Sequence, residues 1–251
     1  MFDLTGKVAL VTGGNGGIGL GMCRGLAQAG AHVLIAGRDT AKSEAAVAQL
    51  RAQGLHADAI TVDVADEASV ATMTAQAVAT LGRLDVLVNN AGTNIRQPAH
   101  ELSLADWNTV INVNLTSAFL CSRAAHPHMV RAGGGKIINI GSMMSIFGAP
   151  YAPAYGASKG GVVQFTRSIA TAWAGDNIQA NAVLPGWIDT ELTRKARAQV
   201  PGLNERVIAR TPAGRWGEAG DLAGIAVFLA SRASDFVTGT AIPVDGGYSI
   251  A

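Results

Sequence analysis

Val8-Ala9-Leu10-Val11-Thr12-Gly13-Gly14-Asn15-Gly16-Gly17-Ile18-Gly19 is an apolar run that ends in a glycine-rich turn and opens into a helical stretch reaching about Ala29. The run does not alternate with polar residues, so it predicts a strand buried on both faces. Glycine lets the backbone turn tightly and approach a pyrophosphate, and a helix N-terminus offers free N–H groups and a positive dipole end. The turn can be read as Gly14-x-Gly16-x-x-Gly19 or as Thr12-Gly13-x-x-x-Gly17-x-Gly19. A glycine-rich turn alone is a weak signal; between the first strand and the first helix it points to a dinucleotide site.

The pattern repeats outward from that turn. Val33-Leu34-Ile35, Ala59-Ile60-Thr61-Val62, Val86-Leu87-Val88, Ile137-Ile138-Asn139-Ile140, Ile178 to Leu184 and Ala241 to Val244 are short β-branched runs. Helical stretches separate them: one through Leu50, one from Glu67, a long one holding Trp107 to Val130, and one containing Tyr155 to Trp173. Strand–helix repetition of this kind predicts a doubly wound parallel α/β sheet of about seven strands, with helices on both faces. No linker or composition break interrupts it, so residues 1–251 read as one dinucleotide-binding and catalytic domain.

Composition excludes several classes. Of 251 residues 49% are hydrophobic, ample for a core, and 19 basic residues balance 18 acidic ones without long runs. That balance leaves no electrostatic footprint for nucleic acid or an anionic membrane. Cys23 and Cys121 read as small buried residues of a reducing compartment. The first residues lack the basic and apolar regions of a signal peptide. The uncharged stretch Ile137 to Ser158 is long enough to span a bilayer, but its glycines, prolines and polar groups make it a strand followed by a loop. A soluble, cytoplasmic protein is the expectation.

About twenty residues past the glycines, Gly37-Arg38-Asp39 ends the second strand where an adenosine ribose should lie. Arg38 suits a 2′-phosphate; Asp39 suits a helix cap. The balance favours NADP(H), with NAD(H) open. Asp63 and Val64 follow the third strand; Asp63 could meet the adenine amino group or cap the helix near Glu67. Asn89-Asn90-Ala91-Gly92 ends the fourth strand at the carboxyl edge, where small residues admit a ligand.

Tyr155-Gly156-Ala157-Ser158-Lys159 sets a phenol and an ammonium four residues apart on one helix face. A free phenol has a pKa of about 10, and a nearby cation lowers it. So tuned, it can protonate a carbonyl oxygen or deprotonate an alcohol. Ser142, thirteen residues earlier, could hold the same oxygen. Asn114 sits mid-helix, an unfavourable place without a purpose. Ser145 and Tyr151 compete for the serine and tyrosine roles. His126-Pro127-His128 has no third ligand nearby and reads as a surface helix end rather than a metal site.

Together the glycine turn, Asn89-Asn90-Ala91-Gly92, Asn114, Ser142, Tyr155, Lys159 and Pro185-Gly186 resemble the short-chain dehydrogenase/reductase family over nearly the whole chain. The resemblance implies a catalytic tetrad of Asn114, Ser142, Tyr155 and Lys159. It implies cofactor contacts from Gly13, Asn15, Gly16, Gly17, Ile18, Gly19, Arg38, Asp63, Val64, Asn90, Ala91, Gly92, Tyr155, Lys159, Pro185, Gly186, Ile188 and Thr190. It also suggests a homotetramer. Two departures bear on the cofactor: Gly37 stands where NAD-using members commonly carry an acid, and Gly16 where NADP-using members often carry Arg or Lys.

The substrate pocket is expected from segments after Gly92, Ser142 and Gly186, with Asn94, Arg96, Met144, Tyr151 and Trp187 as its contacts. Gly92-Thr93-Asn94-Ile95-Arg96 is similar to a Gly-x-x-Arg-Arg pattern in family members acting on gluconate and related sugar acids, with Ile95 departing from it. Residues 189–210, polar and helical around Pro201-Gly202, read as a lid. The expected reaction is hydride transfer between nicotinamide and a secondary alcohol or ketone, the substrate a sugar, polyol or sugar acid. A β-ketoacyl thioester or apolar ketone is the alternative, and a non-catalytic nucleotide sensor a further one.

Overall fold

β1 (Val8–Thr12) is an inner strand of one parallel sheet, paired with β2 (His32–Gly37) on one side and β4 (Val86–Asn89) on the other. The computed structural model describes residues 1–251. β3 (Ala57–Thr61), β5 (Gly135–Ile140), β6 (Ile178–Pro185) and β7 (Ala241–Val244) complete the order β3-β2-β1-β4-β5-β6-β7. β1, β4 and β6 are buried at every position, β6 even at the polar Gln179 and Asn181. The chain reverses its direction of travel between β1 and β4, and ligands bind outside the carboxyl ends at such a switch point.

The two faces carry separate cores. Strand side chains alternate, so Val11 joins one cluster and its neighbour Leu10 the other. α1 (Gly17–Gln28), α2 (Thr40–Arg51) and α9 (Ala223–Ala230) cover the first face through Met22, Leu26, Leu50 and Leu229. α3 (Glu67–Leu81), α5 (Ser117–Arg131) and α6 (Pro153–Trp173) cover the second through Met73, Met129 and Ile169. Each fully buried aliphatic contributes about 1.5–3 kcal/mol by transfer from water.

Three local expectations need correction. The long helix through Trp107 is divided: α4 (Leu104–Ile111) passes into a π-helical turn, Asn112–Thr116, before α5 begins. There Ser117 N–H reaches back to Asn112 O, one residue further than in an α-helix, a bulge typical of functional sites. Asp63 does not cap α3. Asp66 does, accepting Ser69 N at 2.6 Å, while Asp63 accepts Ala65 N at 3.0 Å. β3 begins two residues earlier than Ala59 and stops before Val62. His126 and His128 fall inside α5, His126 bonding Asp176 at 2.8 Å and His128 bonding Arg131 at 2.6 Å. No helix is long and apolar enough to cross a membrane.

Candidate active site

The glycine turn is shaped by close approaches. Gly13 and Gly17 have φ of +62° and +50°, where an L side chain would be strained. A Cβ on Gly19 would stand 2.5 Å from Asn90 Nδ2, whose amide donates to Thr12 O and Gly13 O at 3.0 Å each. Thr12 Oγ1 accepts from Asn90 N and Ala91 N at 3.0 and 3.1 Å, locking the end of β4 onto the turn. Thr12 carried no site role in the sequence reading. α2, α3 and α4 are capped by Asp39, Asp66 and Ser103, whereas Gly16 leaves the first N–H groups of α1 uncapped. An uncapped N-terminus beneath backbone too close for any side chain fits a pyrophosphate.

Arg38 is exposed at the end of β2, and Asp39 caps α2 through Lys42 N at 3.0 Å. An acid at Gly37 would have to displace Asn15: a Cβ there would stand 2.8 Å from Asn15 Nδ2, which donates to Ser43 Oγ at 3.0 Å. Val64 is buried and Asp63 exposed at the adenine end. Pro185 ends β6, and Gly186 N donates to Val244 O at 3.0 Å. Ile188 packs into the first core, so only its main chain can face a ligand. Thr190 caps α7 (Glu191–Gln199), and a Cβ on Gly17 would meet its methyl at 3.1 Å.

At the carboxyl ends of β4 and β5 the four candidate catalytic residues converge. Asn114 projects from the π-helical turn, accepting Thr93 N at 2.7 Å and donating to Thr93 O and Ser158 Oγ at 3.0 Å each. Ser158 Oγ donates in turn to Tyr155 O at 2.8 Å, tying Asn114 to α6. Lys159 Nζ donates to Ile140 O at 2.6 Å and lies 5.7 Å from the Tyr155 ring centroid. Gly92 sits against both groups: its Cβ would be 3.4 Å from Asn114 Oδ1 and 3.7 Å from Lys159 Nζ. Burial lowers the Lys159 pKa to about 8. Burial likewise pushes the Tyr155 phenol up, while the Ser142 hydroxyl and the Arg96 charge pull it down.

The competing serine and tyrosine are separated by their contacts. Ser145 Oγ donates to Lys159 O at 2.7 Å and accepts Ser142 N at 3.2 Å, so it braces β5 against α6. Tyr151 is 58% exposed. It is the one expected substrate contact that the fold leaves largely in solvent. Arg96 is half-buried, near enough for its charge to pull the Tyr155 pKa down; its guanidinium donates to Gln199 Oε1, at the end of α7, at 3.3 Å. Asn94 Oδ1, Gln97 Oε1 and Trp187 Nε1 are buried without partners. Trp187 stacks edge-on with Trp216 at 5.5 Å, and Met144 N donates to Ser142 Oγ at 3.1 Å. Gln199 and Gln97 went unnoticed in sequence, since neither lies in a motif.

The model of the family described as enoyl-(acyl carrier protein) reductase matches residues 13–249. The chain belongs to the short-chain dehydrogenase/reductase family and is an oxidoreductase of the dehydrogenase type. It is 45% identical over 248 residues to 2-dehydro-3-deoxy-D-gluconate 5-dehydrogenase of Escherichia coli K12, covering 98% of this chain and 97% of that one. It is 39% identical to gluconate 5-dehydrogenase of Gluconobacter oxydans, covering 100% of this chain and 98% of that one. The crystal structure of a gluconate 5-dehydrogenase from Burkholderia cenocepacia in complex with NADP and tartrate superposes with a TM-score of 0.95 at 42% identity, covering 100% of this chain and 98% of that one.

Proposed function

We propose that this protein is an NADP(H)-dependent dehydrogenase that interconverts a secondary hydroxyl and a ketone on a sugar acid. The observation that carries the substrate class is Arg96, a half-buried cation near Tyr155 that pairs with no carboxylate. A guanidinium so placed suits a carboxylate. The relatives' names, gluconate and deoxygluconate dehydrogenases, agree with that chemistry. Unpartnered Asn94 and Gln97 oxygens and the Trp187 N–H offer acceptors and a donor to the hydroxyls of such a substrate.

A nicotinamide bound at the switch point supplies or accepts the hydride. The chain's own residues handle the proton. Tyr155 donates it to the carbonyl oxygen during reduction and takes it from the hydroxyl during oxidation. Ser142 donates a hydrogen bond to the same oxygen as charge develops there. Lys159, held by Ile140 O, stabilises phenolate with its charge. Asn114 fixes Thr93 and Ser158, and so the loop and helix that meet at the reacting centre.

The turn residues Gly13, Gly17 and Gly19 hold the pyrophosphate at the uncapped α1, and Arg38 meets the 2′-phosphate. Residues 189–210, α7 and α8 (Leu203–Arg210) about Gly202, act as a lid whose Gln199 reaches Arg96. A cytoplasmic homotetramer completes the proposal, supported by exposed Leu104, Phe119 and Phe236 and tested by light scattering.

The decisive experiment assays both cofactors against gluconate, other aldonates, the matching polyols and apolar ketones, with Arg96→Ala alongside. Arg96→Ala is expected to raise the KM for aldonates roughly 10- to 100-fold and to leave polyols little affected. Equal turnover of polyols and aldonates, or an Arg96→Ala enzyme with unchanged aldonate KM, would overturn the sugar-acid reading.

A further inference from the structure

Lys42 lies in the first turn of α2, and its side chain leans away from its own helix. A Cβ on Gly16 would meet Lys42 Cε at 3.3 Å and Nζ at 3.5 Å. The ammonium therefore stands beside Gly16 at the uncapped end of α1, and Arg38, four residues earlier in the chain, is exposed just after β2. In this fold the end of that strand receives the adenosine ribose.

The one acid of that loop, Asp39, is engaged as the cap of α2. Asp39 turns its Oδ1 to Lys42 N and its carbonyl to Ser43 N. Gly37 carries no side chain, and a Cβ there would have to displace the Asn15 amide. The carboxylate that pairs with the Lys42 ammonium comes from across the groove: Glu191 Oε2, on α7, at 3.3 Å. Both partners are exposed, 47% and 68%, so the pair contributes little to stability and exchanges readily. Glu191 is also held by Lys195 at 3.1 Å, so it keeps a cation when Lys42 leaves. A phosphate monoester carries about −1.5 to −2 charges at neutral pH and outcompetes a single carboxylate.

We propose that Lys42 is the second cation of the 2′-phosphate site, beside Arg38, and that Glu191 holds it over the groove until the phosphate replaces that carboxylate. The proposal rests on the NADP(H) reading above and names a residue for it that lies outside the glycine turn. The alternative is that Lys42–Glu191 is only a tie between α2 and α7. A tie would affect all nucleotides alike; a phosphate ligand affects only those with a 2′-phosphate.

The test titrates the whole protein calorimetrically with adenosine 2′,5′-bisphosphate and with adenosine 5′-monophosphate, at low and moderate salt. The variants are Lys42→Ala, Arg38→Ala, Glu191→Gln and Lys195→Ala. Lys42→Ala is expected to weaken the bisphosphate roughly 10- to 100-fold, the range for a charge-assisted hydrogen bond, and to lower the NADPH-to-NADH ratio of kcat/KM in step. Glu191→Gln is expected to tighten the bisphosphate by roughly two- to fivefold, the range of an exposed ion pair. Lys195→Ala removes the same charge but leaves Glu191 to Lys42 alone, so it should weaken the bisphosphate by no more than roughly two- to fivefold, the range of an exposed ion pair. Should wild-type protein bind both nucleotides equally, the NADP(H) reading falls and this proposal with it. A wild type that discriminates beside a Lys42→Ala protein that discriminates as well overturns the Lys42 assignment alone. So does a Lys195→Ala protein that loses as much as Lys42→Ala.

Discussion

Gly19→Ala and Gly160→Ala place the same methyl group inside two helices, and the structure predicts opposite signs. In α1, a Cβ on Gly19 would stand 2.5 Å from Asn90 Nδ2 and nearer still to the Gly13 carbonyl oxygen. Ordinary carbon contacts lie near 3.5–4.0 Å, so these neighbours must retreat by about 1 Å. Asn90 then loses its hold on Thr12 O and Gly13 O, two bonds of about 1 kcal/mol each. Overpacking adds about 1–3 kcal/mol, and the better helix propensity of Ala returns about 1 kcal/mol. The net expectation is a loss of about 2–4 kcal/mol, lowering the urea midpoint by roughly 1 M. In α6, nothing lies within 4 Å of a Cβ on Gly160, so Ala there should gain about 0.5–1 kcal/mol. Urea unfolding followed by far-ultraviolet circular dichroism measures both, and nucleotide quenching of tryptophan fluorescence reports the turn. Gly19→Ala should also weaken nucleotide binding, because the displaced Gly13 and Asn90 line the pyrophosphate path. A Gly19→Ala protein as stable as wild type, with unchanged nucleotide affinity, would refute the reasoning that close approach, rather than flexibility, demands this glycine.

Tyr155→Phe should lower kcat about 10²- to 10⁴-fold while the circular dichroism spectrum stays the same, and turnover near wild type would remove Tyr155 from the reaction. Gly37→Asp alone should lose NADPH activity without gaining NADH activity, because its Cβ meets Asn15 Nδ2 at 2.8 Å. Adding Asn15→Ser should admit the carboxylate and raise the NADH-to-NADPH ratio, measured as kcat/KM for each. Asn139→Ala should lose about 2–4 kcal/mol in urea unfolding, since Asn89 Nδ2 and Thr166 Oγ1 both lose a buried partner.

The sheet was legible because its inner strands are mostly apolar runs buried on both faces, which carry no alternation with polar residues. The glycine turn was legible because strand, turn and helix are contiguous in the chain. What failed locally was decided by tertiary contacts. The π-helical turn at Asn112–Thr116 has no composition signal; it lets Asn114 meet Thr93 and Ser158 while α4 and α5 both stay packed. Asp63 and Asp66 are equivalent as caps in sequence, and backbone geometry chose Asp66. The buried chain Asn89–Asn139–Thr166 joins residues from β4, β5 and α6, so no local pattern announces it. In the site, Ser142 and Ser145 were distinguishable only by family spacing until Ser145 proved bonded to Lys159 O. Lys42 and Gln199 were missed for a common reason: each acts across a groove from an element remote in sequence.

Lys159 is the place where structure and function pull in opposite directions. Its ammonium is buried, its hydrogen bond goes to a neutral carbonyl, and burial lowers its pKa from 10.5 to about 8. A cation without a counter-ion in such a place destabilises the fold. Below about pH 8 folded and unfolded chains both carry the proton, and the penalty is present in full. Between about 8 and 10.5 the unfolded chain still binds a proton that the folded chain has released. Unfolding free energy therefore rises with pH across that window. Lys159→Met removes the group and with it the slope, so the variant should be more stable than wild type at pH 7, with an advantage that shrinks towards pH 10. Activity should move the other way, because the proposed reaction draws on the Lys159 charge beside Tyr155. Arg96 stands in the same field, also desolvated and also without an acid. With two cations that pair with no acid near one phenol, the proposed reaction gains wherever negative charge arrives, as phenolate, developing alkoxide or substrate carboxylate. Denaturant midpoints of wild type and Lys159→Met from pH 6 to pH 10 test this directly. A variant less stable than wild type at pH 7, with a parallel pH profile, would show that Lys159 is satisfied by Ile140 alone and that the site holds no such reserve of charge.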